Sequence, residues 1–112
     1  MKNTLIQITK NGMGEGDEAL SLSLVANYLK LVNEESNFPL FMAFYNGGVK
    51  LLCDGSPVLD TLKSLEKKGV KMLACKTCLS YYHLLDKRKV GVEATMVDIM
   101  SLQKAADKVI SL

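Results

Sequence analysis

Residues 56–78, SPVLDTLKSLEKKGVKMLACKTC, carry a helix, a strand and the start of a second helix in one unbroken run. Ser56 is a fitting N-cap, Pro57 suits the first helical position, and Gly69 stands where a left-handed residue closes a helix. Between them Val58, Leu59, Leu62 and Leu65 recur at helical spacing, so one face of that helix is apolar. Val70 to Ala74 then reads as a strand ending at Cys75, and Thr77 is placed to cap a helix reaching about Leu85. A strand framed by helices is the repeating unit of a parallel sheet.

The same alternation extends in both directions. Leu5 to Thr9 has the apolar pattern of a short strand and runs into a glycine-dense loop, Asn11 to Gly16. Asp17 and Glu18 open a helix to about Asn33, with Leu20, Leu24, Tyr28, Leu31 and Val32 on the face expected to be buried. Leu40 to Tyr45 is a continuous apolar run, as in a strand covered on both faces. Asn46-Gly47-Gly48 breaks it, and Val49 to Cys53 reads as a brief extended segment. Val90 to Glu93 is a further extended piece, Thr95 begins a helix to about Gln103, and Lys108 to Leu112 reads as a closing strand, with a continued helix as its competitor. The pattern predicts one α/β domain over residues 1–112, a three-layer α/β/α sandwich around a mostly parallel sheet of about five strands.

Composition narrows the function. Apolar residues make up 48% and charged residues 23%, the balance of an ordinary globular domain. A net charge of +2, no tryptophan, and basic runs (Lys67-Lys68 and Lys87-Arg88-Lys89) placed where helices should end argue against nucleic acid. No stretch approaches the roughly 18 apolar residues of a membrane span. The first residues alternate apolar and polar instead of forming the apolar block of a secretory signal, so the expected compartment is the cytoplasm. Three cysteines in a reducing compartment do not make a disulfide framework.

Ligands in such sheets gather beyond the C-terminal strand ends. Three segments end strands there: the 11–16 loop, Asn46-Gly47-Gly48, and Cys75-Lys76-Thr77-Cys78. Cys75 and Cys78 are therefore the candidate reactive residues. Gly14, Gly16, Asn46, Gly47, Lys76 and Thr77 are the candidate binding residues. A helix N-terminus and the Lys76 cation would both favour a thiolate. Other readings of the pair are two small buried apolar residues, thioredoxin-like redox exchange, or zinc. A zinc set of Cys53, Cys75, Cys78 and His83 matches no ordinary finger spacing, so neither metal nor cofactor is expected. His83 lies five residues past Cys78, poorly placed for a Cys–His dyad, whereas Tyr82 at four residues shares its face. The Gly12/Gly14/Gly16 loop fits neither the Rossmann nor the P-loop pattern, and Glu15 and Asp17 would repel phosphate.

Several blocks, taken in order, resemble the DsrE/DsrF-like family. They are Gly14-Glu15-Gly16-Asp17-Glu18, Phe44 to Leu51, Gly55-Ser56-Pro57-Val58-Leu59, Cys75 to Tyr82, Val90-Gly91 and Ala106 to Ile110. Within the family the likeness is to the C-terminal domain of YedF-type proteins, described as sulfurtransferase-like and linked to selenium metabolism. The resemblance implies a three-layer fold, homo-oligomers, and a persulfide carried on a cysteine just after a strand. Cys75 occupies that place, and Cys78 resembles the extra cysteine of the YedF-like subgroup. On this implied mechanism the Cys75 thiolate takes a sulfane sulfur from a donor persulfide. Lys76 and the helix terminus steady the anion, and Cys78 releases the sulfur by closing a disulfide. YedF-type proteins also carry a TusA-like domain with a Cys-Pro-x-Pro motif. The only prolines here are Pro39 and Pro57, so the expectation is either a separate carrier, TusA-like in kind, as donor or acceptor, or a chain that has lost transfer activity. The alternative expectation is a non-catalytic oligomeric binding or assembly module that keeps the fold.

Overall fold

A computed structural model describes residues 3–112. Five strands form one sheet in the order β4-β3-β2-β1-β5: β1 (Thr4–Ile8), β2 (Phe41–Phe44), β3 (Lys71–Cys75), β4 (Val92–Ala94) and β5 (Lys108–Ser111). Every neighbouring pair is parallel. The helices are α1 (Glu18–Glu34), α2 (Leu59–Lys67), α3 (Lys76–Tyr81) and α4 (Met96–Ala105). The expected α/β architecture with its five-stranded sheet is the one observed, and Lys108 onward is a strand rather than more helix.

The strand order assigns the layers. Each step from β1 through β4 moves the same way across the sheet, so right-handed crossovers hold α1, α2 and α3 on one face. The step from β4 to β5 runs back, which puts α4 on the other face. Gln103 of α4 accordingly hydrogen-bonds to Gln7, which shares its side of the sheet with Leu5 and Ala43. Ile6, Ile8, Met42, Phe44, Met72 and Ala74 fill the three-helix side and are fully buried with Leu29, Leu62 and Leu65. Removing each such aliphatic or aromatic side chain from water contributes about 1.5–3 kcal/mol. The α4 side is thinner: Phe41 and Leu73 are half-buried and Val92 is exposed.

Local chemistry sets the element ends. Asp17 caps α1 through its carboxylate, and Thr95 with Asp98 forms a capping box on α4. Gly69, with φ +108°, closes α2: its N–H bonds to the Glu66 carbonyl and that of Val70 to Leu65, a Schellman motif. The start of α2 is later than expected. Ser56 Oγ accepts from the Val58 N–H across a turn, so the helix proper begins at Leu59.

Three expectations are corrected. The buried stripe of α1 is Ser21, Val25, Leu29 and Val32, leaving Leu20, Leu24 and Leu31 at 57%, 45% and 54% exposure. The buried stripe sets Ser21 against Gly12, where a Cβ on Gly12 would lie 2.6 Å from that of Ser21, so the close approach needs the glycine. Residues 49–52 are not extended, because Asn46–Leu52 forms a 3₁₀ segment; only Cys53 is, in an isolated antiparallel bridge to Arg88. Gly48 lets the 3₁₀ segment press against β1, since a Cβ on Gly48 would stand 2.0 Å from the Ile8 carbonyl oxygen. Finally, α3 begins at Lys76 with Cys75 as its N-cap, so Thr77 is not the cap. It stops at Tyr81 because His83 turns left-handed (φ 59°), with His83 N–H on the Ser80 carbonyl and Leu84 N–H on Leu79. The lone histidine closes a Schellman motif.

The Gly48 contact yields a comparison. Gly48→Ala should cost about 3 kcal/mol or more in urea unfolding, because the obstacle is backbone that cannot yield. Gly47→Ala, whose Cβ would meet Asn11 at an ordinary 3.4 Å, should cost under about 1 kcal/mol.

Candidate functional site

Adjacent strands β3 and β4 lead into helices on opposite faces of the sheet, so their following loops part company. A parallel sheet opens a crevice at such a switch point, outside the strand ends. Here the crevice is a cleft of about 520 Å³ lined by Tyr45, Asn46, Thr77, Cys78, Tyr81, Tyr82 and Met96. Three consecutive strand ends supply it: β2 gives Tyr45 and Asn46, β3 runs into the Cys75–Tyr82 segment, and β4 leads to Met96. An adjoining depression shares Thr77, Tyr81 and Met96 and adds Lys76, Ser80 and Thr95.

Cys75 ends β3 as its last residue and is 3% exposed, whereas Cys78, one turn on in α3, is half-buried and faces the cleft. Their sulfurs are 3.1 Å apart, with the Cys78 thiol directed at Cys75. Behind the cleft the Asn46 N–H donates to Cys78 Sγ at 3.1 Å. That donor is aimed by an unusual backbone, for Asn46 holds φ at 51°. The Tyr82 hydroxyl donates to Asn46 Oδ1 at 3.2 Å, and the Lys50 ammonium sits 4.4 Å over the Tyr82 ring. A chain of contacts thus runs from Lys50 through Tyr82 and Asn46 to the thiol pair.

The thiol electrostatics differ from the sequence expectation. Burial pushes the Cys78 thiol up, the hydrogen bond to Cys75 adds to that, and the Asn46 N–H pulls the other way. The six-residue α3 brings little macrodipole to oppose desolvation. Cys78 is therefore a neutral thiol at rest, held against a second thiol.

The other candidate positions fall into two groups. Asn46, Thr77 and Cys78 share the cleft, Gly47 adjoins it beside Asn46, and Lys76 lines the adjoining depression. Gly14 and Gly16 do not join them: both are exposed, with no atom within 4 Å of where a Cβ would be. Their loop instead holds α1, with the Ser21 hydroxyl on the Gly14 carbonyl. From it Asn11 reaches a separate hollow of about 420 Å³ that it lines with Lys50, Cys53, Ser56 and Tyr82, among others. Cys53 is buried and donates to the Val49 carbonyl, and its thiol too is pushed up by burial against the pull of the Arg88 charge. Among the described residues no three of His, Cys, Asp and Glu gather as a metal site. Tyr45, Lys50 and Met96 were not singled out from the sequence. They reach the site through strand order, which hydropathy patterns do not encode.

No helix among the described residues is long and apolar enough to cross a membrane. The sequence model of the DsrE/DsrF-like family matches residues 2–112. No curated protein matches the chain. Among solved structures it is similar to the ychN protein from E. coli, at 25% identity and TM-score 0.66, with all of both chains covered. It is similar in fold to MTH1491 of Methanobacterium thermoautotrophicum, a protein of unknown function, at 21% identity and TM-score 0.69, covering 97% of each chain. BT1422 of Bacteroides thetaiotaomicron, a conserved protein of unknown function, shares the fold at 13% identity and TM-score 0.68, over 98% of this chain and 95% of that one.

The burial pattern predicts the order of thiol modification. Under native conditions iodoacetamide should label Cys78 first, with Cys75 and Cys53 labelled only as the protein unfolds, read by peptide mass mapping. Because the Cys78 thiol is raised, its labelling rate should still be climbing at the pH where an unperturbed cysteine levels off. A plateau below that pH would contradict the assignment.

Proposed function

The chain belongs to the DsrE/DsrF-like family, and from that premise we propose that it is a sulfur-relay protein carrying a sulfane sulfur as a persulfide on the Cys75–Cys78 pair. The observation that carries this reading is two free thiols in contact at a sheet switch point, one of them opening on a cleft. Relay chemistry requires little else. A protein thiolate attacks the terminal sulfur of a donor persulfide, the donor S–S bond breaks, and the donor leaves as a thiolate. The protein then holds Cys–S–SH, and no metal or redox cofactor enters the balance.

The surroundings suit that cargo. The cleft wall of Tyr45, Tyr81, Tyr82 and Met96 is largely apolar and polarisable, which favours sulfur over a hydrated anion. The Asn46 N–H supplies one hydrogen bond to the sulfur. We place the protein beside the YedF-type proteins, in the cytoplasm, with a TusA-like carrier as donor or acceptor. Selenium, bound as a selenosulfide, would take the same position.

A second feature bears on assembly. Leu20, Leu24 and Leu31 on α1, and Met96, Val97 and Met100 on α4, are exposed. Two apolar helix faces of that kind favour a homo-oligomer that covers them. Because Met96 also walls the cleft, such an assembly would border the site.

Two measurements test the proposal. Incubated with a low-molecular-weight persulfide and alkylated at once, before any discharge, the chain should carry one added sulfur in intact mass and lose it to dithiothreitol. A variant carrying both Cys75→Ser and Cys78→Ser should gain none. Wild type that stays unmodified would end the relay reading. Light scattering after size exclusion should give a multiple of the 12.3 kDa chain, and a monomer at micromolar concentration would end the assembly reading.

A further inference from the structure

The two cysteines are not equivalent, and their difference points to what leaves the site. We propose that Cys78 receives the sulfane sulfur and that Cys75 discharges it as sulfide by closing the Cys75–Cys78 disulfide. This rests on the relay reading and reverses the order that the family resemblance implies.

Access decides the first step. An incoming persulfide must bring its terminal sulfur into line with an attacking sulfur. Cys78 lines the cleft, whereas Cys75 is 3% exposed and lines neither the cleft nor the adjoining depression. The Asn46 N–H also points at Cys78 Sγ and remains beside it once the sulfur is loaded. The thiol at the strand end is thus the hidden one, and the thiol one helical turn later is presented.

Geometry decides the second step. Cys75 Sγ lies 3.1 Å from Cys78 Sγ, already inside the reach of a nucleophile approaching its target. Once Cys78 carries S–SH, its inner sulfur is the electrophile nearest to Cys75. Attack there forms the Cys75–Cys78 bond and breaks the bond to the outer sulfur. The outer sulfur departs with the electron pair and takes up the proton Cys75 gives up, leaving as hydrogen sulfide. The sulfane sulfur is reduced by two electrons and the two thiols are oxidised to one disulfide. A dithiol reductant resets the pair, so each cycle consumes one persulfide and one dithiol. A site with a single cysteine would have to wait for an acceptor. This one carries its own.

The experiment uses the full chain. It is loaded with a low-molecular-weight persulfide and desalted. A sulfide-selective probe then follows what is released, while alkylation and peptide mapping follow the thiols. Wild type should release one sulfide per sulfur taken up and end with Cys75 and Cys78 joined and Cys53 free. Cys78→Ser should not load. Cys75→Ser, and Cys75→Ala as a packing control, should load and then release sulfide at least about tenfold more slowly, having lost the intramolecular thiol. Equal loading of Cys78→Ser, or unchanged release from both Cys75 variants, would overturn the division of roles. Wild type that loads but holds its sulfur with no disulfide refutes discharge and leaves the relay reading standing. Wild type that takes up no sulfur refutes both.

Discussion

The chain can reach β5 only by turning back at β4, and that reversal governs the rest of the molecule. Four strands advance in one direction with their helices stacked on one face. The fifth must be placed on the far side of β1, so α4 crosses beneath the sheet. The loops after β3 and β4 therefore diverge, and the backbone cannot fill the space between them. Cys75 and Thr95, the last residue of one strand and the first beyond the other, flank that gap. What occupies the gap is side-chain chemistry, and here it is a pair of thiols among tyrosines.

Much of the fold was legible because its signals are local. Gly69 closing α2, Thr95 opening α4 and the apolar run of β2 each depend on a few neighbouring residues, and each stands within a residue or two of its expected place. Two failures came where contacts with another element decide, and one came from a residue just past a helix end. α1 has two apolar stripes, and nothing in its own sequence tells which one meets Gly12. The segment after Asn46 looked extended, yet the close approach of Gly48 to Ile8 winds it into a 3₁₀ turn. α3 was expected to end four residues further on because histidine is seldom read as a helix terminator, although it tolerates the left-handed conformation better than most side chains. The site divides in the same way. The Cys-x-x-Cys spacing located the thiols, while Tyr45, Lys50 and Met96 depended on which strands lie side by side.

The thiol pair also shows why position in a motif is a poor guide to reactivity. A cysteine at a helix start suggests a stabilised thiolate, and that holds when the helix is long and the sulfur is wet. Here the helix is one and a half turns and the sulfur lies against protein. Desolvation outweighs the single backbone hydrogen bond, so Cys78 rests as a thiol. Any reactivity then depends on what enters the cleft. Asn46 matters in that setting because its donor is fixed in place by a left-handed backbone and a tyrosine hydroxyl, with no reorganisation required as charge develops on sulfur.

The placement of β1 has a consequence for how the protein is made. It lies between β2 and β5, and its pairing with β5 joins Thr4 to Lys108 and Gln7 to Ser111, nearly the full span of the chain. During synthesis β1 can acquire β2 early, but its other edge stays bare until residues 108–111 have been made. Unpaired edges invite other nascent chains. Within this sheet β1 is thus sealed late, which makes the pairing of the short β5 the step that removes the bare β1 edge from contacts that lead to aggregation.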